Sequence, residues 1–433
     1  MSIKLNPTHL RHFRPINTIS IGRGATVALK VDFNVTIKDG KIQNPEKIRA
    51  AFRTIDHLLA SGANIVIYTH LGQPKKGCEA KTSLNLVADF LAEKYGRDTV
   101  INGESLITPD ENGFLPTEQY INKAVREAAV GLGGKARILL MPNVRWAAYE
   151  QAKPTDPGHQ ALAQAMLGLS DGFAVFDAAA VWNKEHASIT TMLRLAGLNN
   201  IAWGFHAHEM AELLVRRFTG DIPRPYVLHI SGTKADKMGY ILDFLGNPQI
   251  DSILVSGNIA NGLMEVLGRS VGAAAGTYGA PELEKARRIV NHPRFGGAVS
   301  LPVDFIIARP DGSDRRYLAQ GEIIPEGFRQ FDIGRETASL YAKILATAGL
   351  AVNSGVPGAF DFGNPPFEEG TKVVLPGFAR AKQSINLGGD GGIAAEKYLT
   401  PEELARTEVL VAGGSFLHAM AHQTFPVAEV FLN

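Results

Sequence analysis

Apolar residues recur along this chain in two alternating rhythms: short runs of strand type, and longer stretches at helical spacing. The first run, residues 27–33, ends in the polar trio Asp32, Asn34 and Thr36. A helix follows, with Ala50, Ala51, Ile55, Leu58 and Leu59 on its apolar spacing and Gly62 as its C-cap. A second strand over 65–69 delivers His70 and Gly72 at its carboxyl end. In open α/β sheets that edge is where ligands bind. The alternation continues with helices over 82–94, 119–130 and 159–167 and strands over 137–141 and 173–176. A helix over 206–218 carries Met210, Leu213 and Leu214 on one face, and the proline-containing stretch 219–225 ends it. The pattern then restarts. Strands are expected over 226–230, 252–255, 303–307, 350–352 and 409–412, with a short segment near 384–387. Helices are expected over 236–245, 260–267, 281–290, 335–348, 392–398 and 415–422.

Such alternation builds mostly parallel sheets with helices on both faces. The pattern therefore predicts an α/β protein of two doubly wound, parallel-sheet (Rossmann-like) domains joined by a long hinge helix. The first domain covers 1–205, with the apolar tail 423–433 docked on it. The second covers 206–422 and includes the hinge helix 206–218. A length of 433 residues fits two domains of about 200 residues each. Two polar, glycine-rich sheet edges suit a two-substrate enzyme that closes to exclude water. A binding protein closing on a single ligand would show the same pattern.

Composition narrows the partners. A net charge of +1 gives no reason to expect nucleic acid or an acidic membrane surface. The single cysteine, Cys78, rules out a disulfide framework within the chain. The N-terminal stretch has no apolar run of signal-peptide type, and no run of about 18 apolar residues occurs. A cytoplasmic protein acting on small molecules is expected. The 45 glycines cluster at strand–helix junctions, where a ligand and the backbone can approach closely. Gly388-Gly389-Asp390 stands just before a helix, where free N–H groups attract phosphate and a carboxylate can hold Mg²⁺.

Several motifs, in order along nearly the whole chain, together resemble phosphoglycerate kinase. They include KVDFNV (30–35), KIRAA (47–51), HLGQP (70–74), NVR (143–145), NKEHAS (183–188), SGTKADK (231–237), SGNIAN (256–261), FDIG (331–334), SGVPGAFDF (354–362), LGGD (387–390), AGGS (412–415) and FPVAEVFLN (425–433). The resemblance implies that the first domain holds the acid substrate. Asp32, Asn34 and His70 would face its carboxylate end, hydroxyl and phosphate, and Arg145 and Lys184 its phosphate. It implies an ATP/ADP site in the second domain. Gly232, Lys234 and Lys237 would lie at the nucleotide phosphates, and Gly257 and Asn258 beside the adenine. Gly355, Gly358 and Asp361 would surround base and ribose. Gly388, Gly389, Asp390 and Gly391 would form the phosphate turn, with Asp390 as the Mg²⁺ ligand. Lys47, Lys234, Gly389 and Gly414 would flank the transferring phosphoryl group. A monomer is implied as well.

Some positions depart from the family pattern. Lys30, Lys47, Gln73 and Lys184 stand where the family carries arginine, and Asn183 where it carries histidine. The two lysines of the phosphate loop are three apart instead of four, Asp361 replaces glutamate, and Gly391 replaces threonine. Pro376 interrupts a segment that is helical in the family. Three readings stay open: a kinase of the family's acid, a kinase of another carboxylic acid, and a non-catalytic nucleotide-binding paralogue.

Overall fold

The computed structural model describes residues 3–108, 113–410 and 413–433. The run 303–307 becomes an antiparallel strand, and most of the other predicted runs become parallel strands, joined by short ones that show no period. In the first unit these are β1 (Thr26–Val31), β2 (Asn64–Tyr68), β3 (Val100–Asn102), β4 (Ile138–Leu140), β5 (Phe173–Asp177) and β6 (Ile201–Trp203). They form one sheet in the order β3-β4-β2-β1-β5-β6, with every pair parallel. All of β2 and all but one residue of β1 are buried, as expected for strands covered by helices on both faces. Ile55 and Leu58 of helix α1 (Phe52–Ala60) pack into that core beside Leu29 and Ile67. Burying each such side chain stabilises by about 1.5–3 kcal/mol, which fixes the helix on the sheet. The chain turns from one side of the sheet to the other between β1 and β5, so Asp32 lies at the topological switch point.

The second unit repeats the plan. Its strands are β7 (Tyr226–Ile230), β8 (Ser252–Val255), β9 (Val299–Ser300), β10 (Phe305–Ala308), β11 (Arg316–Leu318), β12 (Arg329–Ile333), β13 (Leu350–Ser354), β14 (Ser384–Leu387) and β15 (Thr407–Leu410). Six of them make a parallel sheet in the order β9-β8-β7-β13-β14-β15. Strands β11-β10-β12 form a separate antiparallel sheet. The sequence reading did not anticipate β3, β6, β9, β11 and β12. Residues 411–412, expected at the end of the last strand, lie outside the described residues.

The long helix α2 (Phe205–Phe218) belongs to the first unit, which runs to Gly220 and resumes at Gln423; the second unit is Asp221–His422. This corrects the boundary drawn at 205/206. The reason is local packing. Ala207, Ala211, Leu214 and Val215 are buried. Phe205 N–H donates to Thr54 Oγ1 at 2.9 Å, and Ala207 N–H to Asp177 Oδ1 at 2.7 Å. Asp177, at the tip of β5, thus caps α2, and a Cβ on Gly204 would overlap its carboxylate. The second unit has the same device: Asp304 accepts from Glu336 and Thr337 N–H at 2.9 and 2.8 Å, and Gly334 lies against it.

Helix α3 (Asp236–Leu245) follows β7 and α4 (Gly257–Val266) follows β8. Helix α5 (Arg335–Ala346) packs along α6 (Glu369–Ala379), which continues through Pro376. The break expected at this proline does not occur: Val374, Leu375 and Phe378 are buried in the core shared with Tyr341 and Leu345. Helices α7 (Gly389–Tyr398) and α8 (Gly413–His422) follow β14 and β15. The tail forms α9 (Pro426–Leu432) within the first unit. There Phe425 stacks on Trp182 and Phe431 on Trp203, with ring centroids 4.3 and 4.7 Å apart.

Candidate active site

In the first unit, polar groups meet at the carboxyl ends of β1, β2 and β4. Asp32 is buried; its Oδ2 accepts from Lys47 Nζ at 2.8 Å and its Oδ1 from Asn34 N–H at 3.1 Å. His70 Nδ1 lies 3.8 Å from Oδ1. Asn34 Oδ1 accepts from Gly72 N–H at 2.8 Å, and Arg145 Nη1 donates to Gly72 O at 2.6 Å. Asp32 thereby gathers Lys47, Asn34 and His70, and Gly72 links Asn34 to Arg145. Gly72 has a positive φ of 63°, which lets its N–H and C=O serve both partners.

The electrostatics follow from burial. Burial drives the His70 imidazole well below its usual value, against the pull of Asp32 and with help from Arg145, Lys30 and Lys47. At neutral pH His70 is therefore an uncharged hydrogen-bonding group. Burial alone would raise the Asp32 carboxyl, but Lys47 beside it, His70 and the Asn34 N–H bring it below its usual range. Lys30 is fully buried and is lowered to about 8 by burial, with Glu150 opposing. Glu150 in turn accepts from Ser188 N–H and Oγ at 3.0 and 2.6 Å. Burial also lowers His186, to about 3, and Lys30, Arg145 and Lys184 add to the effect. Lys184 is exposed, with its charge felt at His186. Gln73 is exposed and 3.5 Å from Gln151. The Nε of Arg145 is buried without a partner among the described residues. The cluster offers cationic and hydroxyl-binding groups, but only one guanidinium fork.

In the second unit a cavity of about 550 Å³ opens where β7, β13 and β14 end. Gly232, Lys234, Lys237, Gly257, Asn258, Gly355, Gly358, Asp361, Gly388, Gly389, Asp390, Gly391 and Gly414 all line it. The order of strands turns between β7 and β13, so this too is a switch point. Gly355, with φ of 109°, comes so close to β7 that an added Cβ would lie 2.5 Å from Ser231 O. Lys237 bridges these strand ends, donating to Ser231 O at 2.6 Å and Ser354 O at 2.9 Å. Burial lowers its ammonium to about 8, with Asp236 and Asp390 opposing and Lys234 reinforcing. Lys234 and Asp390 are exposed. Asp390 sits in the first turn of α7, where backbone N–H groups have no acceptor within the helix. Asn386 occupies the space a side chain at 391 would need: a Cβ there would lie 2.6 Å from Asn386 Oδ1.

Arg329 and Gln330 also line the cavity and lie outside every motif read from the sequence, whereas Phe331 and Phe362 stand within FDIG and SGVPGAFDF without having been named as site residues. Phe331 stacks on Phe362 and on Phe367, with centroids 5.2 and 4.6 Å apart. Among the described residues no group of three or more His, Cys, Asp or Glu could hold a metal ion. Asp390 is thus a single carboxylate beside a phosphate-type turn, a donor set that suits Mg²⁺ when phosphate oxygens and water supply the rest. No helix of the described residues is long and apolar enough to cross a membrane.

Comparison with known proteins adds an independent finding. Residues 17–423 match the family described as phosphoglycerate kinase. A phosphoglycerate kinase of Chlamydia muridarum is 28% identical over 417 residues, covering 94% of this chain and 96% of its own. One of Chlamydia trachomatis serovar A is 29% identical over 416 residues, with the same coverage. The solved structure of phosphoglycerate kinase from Coxiella burnetii is similar with a TM-score of 0.69 and 26% identity, over 97% of this chain and 99% of that one. The structure from Pyrococcus horikoshii OT3 shares the fold with a TM-score of 0.75 at 23% identity, over 95% and 96%.

Proposed function

This chain belongs to the phosphoglycerate kinase family and is a phosphotransferase, and on that premise we propose that it moves a phosphoryl group between the acyl phosphate of a phosphoglycerate-type acid and ADP. One observation carries the reading: the twelve residues named for a nucleotide site, together with Gly414, line a single cavity of about 550 Å³. In the ATP-consuming direction the acid's own carboxylate attacks the γ-phosphorus. A carboxylate oxygen–phosphorus bond forms, the bond to the β-bridging oxygen breaks, and ADP leaves. The carboxylate is already ionised, so no general base is needed; positioning and charge neutralisation supply the catalysis.

The roles divide by unit. Asp32 and Asn34 hold the acid's hydroxyl end, His70 donates or accepts as a neutral group, and Arg145 and Lys184 meet its phosphate. Lys47 neutralises charge at the transferring group. Lys234, the N–H groups at the start of α7 and Gly414 cradle the nucleotide phosphates, while Gly257, Asn258, Gly355, Gly358 and Asp361 surround base and ribose. Asp390 would hold Mg²⁺, which when bound offsets charge on the phosphate oxygens. Calorimetric titration with ADP and separately with 3-phosphoglycerate, followed by a coupled assay with ATP, tests the proposal. Binding of neither ligand would overturn it.

A second reading keeps the chemistry and changes the acid. It rests on the single guanidinium fork: positions 30, 47, 73 and 184 carry no arginine, and Lys47 is paired with Asp32. Lysine is a point charge and does not replace a bidentate fork. Robust turnover of 3-phosphoglycerate at low KM would sink this reading; turnover of another acid in a panel would support it.

A further inference from the structure

The cavity wall carried by β12 holds hydrogen-bonding groups that the protein leaves unsatisfied. Gln330 is 5% exposed and lines the cavity. Neither its Oε1 nor its Nε2 has a partner among the described residues. On the adjacent residue, Arg329 Nε is also buried and unpartnered, although its Nη2 donates to Asn258 Oδ1 at 3.2 Å. A buried carboxamide lacking both partners is uncommon and destabilises the protein that carries it. At the wall of a ligand cavity, such a group is explained if the ligand completes it. The same wall presents the stacked rings of Phe331 and Phe362, apolar faces suited to a planar base.

We propose that Gln330 reads the edge of the nucleotide base and makes this site select adenine over guanine. The inference rests on the nucleotide-binding reading above. A carboxamide offers one acceptor and one donor side by side. Adenine presents the complement: its 6-amino group donates to Oε1 while N7 accepts from Nε2, the pairing by which glutamine recognises adenine elsewhere. Guanine shows two acceptors on the same edge, O6 and N7, and leaves Oε1 facing an acceptor. Both polar atoms of the amide are buried, so reading a base edge requires the side chain to turn toward the cavity.

The test is calorimetric titration of the full chain with ADP, GDP and 7-deaza-ADP, which lacks the N7 acceptor. ADP is expected to bind about tenfold more tightly than either of the others, the lower end of what a paired contact to a base edge supplies. Gln330→Leu should bring all three within about twofold of one another, without lowering the Tm of the free protein, because it removes an unsatisfied amide. Equal binding of ADP, GDP and 7-deaza-ADP by the unaltered protein overturns the inference, as does a preference that survives in Gln330→Met. Those outcomes leave the nucleotide site standing. Failure to bind any of the three nucleotides overturns the nucleotide reading itself.

Discussion

Replacing Lys237 by methionine isolates the charge buried between the ends of β7 and β13. Burial lowers the ammonium from 10.5 to about 8. That difference corresponds to roughly 3 kcal/mol against the charged form, at about 1.4 kcal/mol per pH unit. The side chain offsets part of this cost by donating to Ser231 O and Ser354 O. Ser354 O also accepts from Ser231 N–H at 3.0 Å, so only Ser231 O is left without its donor in the variant. Leaving one buried carbonyl unsatisfied costs about 1–3 kcal/mol. The two effects nearly cancel near neutral pH, and the Tm of free Lys237→Met should stay within a few degrees of the parent. The pH dependence should not be preserved. The folded value lies below the unfolded one, so between about pH 8 and pH 10.5 the unfolded chain binds more protons and stability rises with pH. Below that window both states are protonated and the full cost is present. A nucleotide phosphate beside the third N–H favours the ammonium and raises its pKa. ADP binding should therefore take up a proton above about pH 8 and weaken by up to about tenfold per pH unit. Titration in buffers of different ionisation enthalpy counts that proton. In Lys237→Met the uptake should vanish and affinity near neutral pH should fall about 10–100-fold. An unchanged affinity and an unchanged pH slope would refute the reasoning and leave Lys237 as a strut between strand ends.

Other expectations follow from the same geometry. Lys47→Arg supplies a planar fork where a point charge now pairs with Asp32; kcat should rise about tenfold or more with little change in KM for the acid, read in a steady-state coupled assay. Gly391→Thr adds a hydroxyl near the phosphate turn but collides with Asn386, whose Nδ2 donates to Gly391 O at 2.7 Å. It should destabilise by about 1–3 kcal/mol in urea and should not tighten ADP binding. Phe425→Ala removes a fully buried ring stacked on Trp182, which should cost about 3–5 kcal/mol in the same experiment.

Much of this architecture was legible because fully buried parallel strands write themselves as continuous apolar runs. The strands 226–230 and 252–255 were placed to the residue for that reason, and the helix 236–245 by its helical apolar spacing. The strands that were missed, Val100–Asn102, Ile201–Trp203 and Val299–Ser300, are edge strands of two or three residues, too short to show a period. β12 was hidden differently: Arg329 and Phe331 alternate with Gln330 and Asp332, so two of its three buried positions are polar and Phe331 is only partly buried. The first helix was read as continuous across Ala51, where the structure ends one helix and starts another. On the nucleotide side, glycines at strand ends marked the cavity because only they allow the approach seen at Gly355. On the acid side the residue types were visible, but their state was not. Nothing in the string of letters says that Lys47 is held by Asp32, or that burial keeps His70 neutral.

The paired aspartate–glycine contacts at the starts of α2 and α5 carry a consequence for how this chain can change. In each, the carboxylate that caps the helix fills the space a side chain on the glycine would need: Asp177 against Gly204, and Asp304 against Gly334. Neither member can be exchanged alone without a clash or an uncapped helix, and shrinking the aspartate to admit a larger residue gives up the cap. The two sites are therefore strongly epistatic in the sense of a double-mutant cycle. Any lineage of this protein is confined there to a narrow set of joint substitutions, whereas the exposed Lys184 of the first unit has no such partner filling its space among the described residues. The attachment of the two capped helices cannot change by single steps.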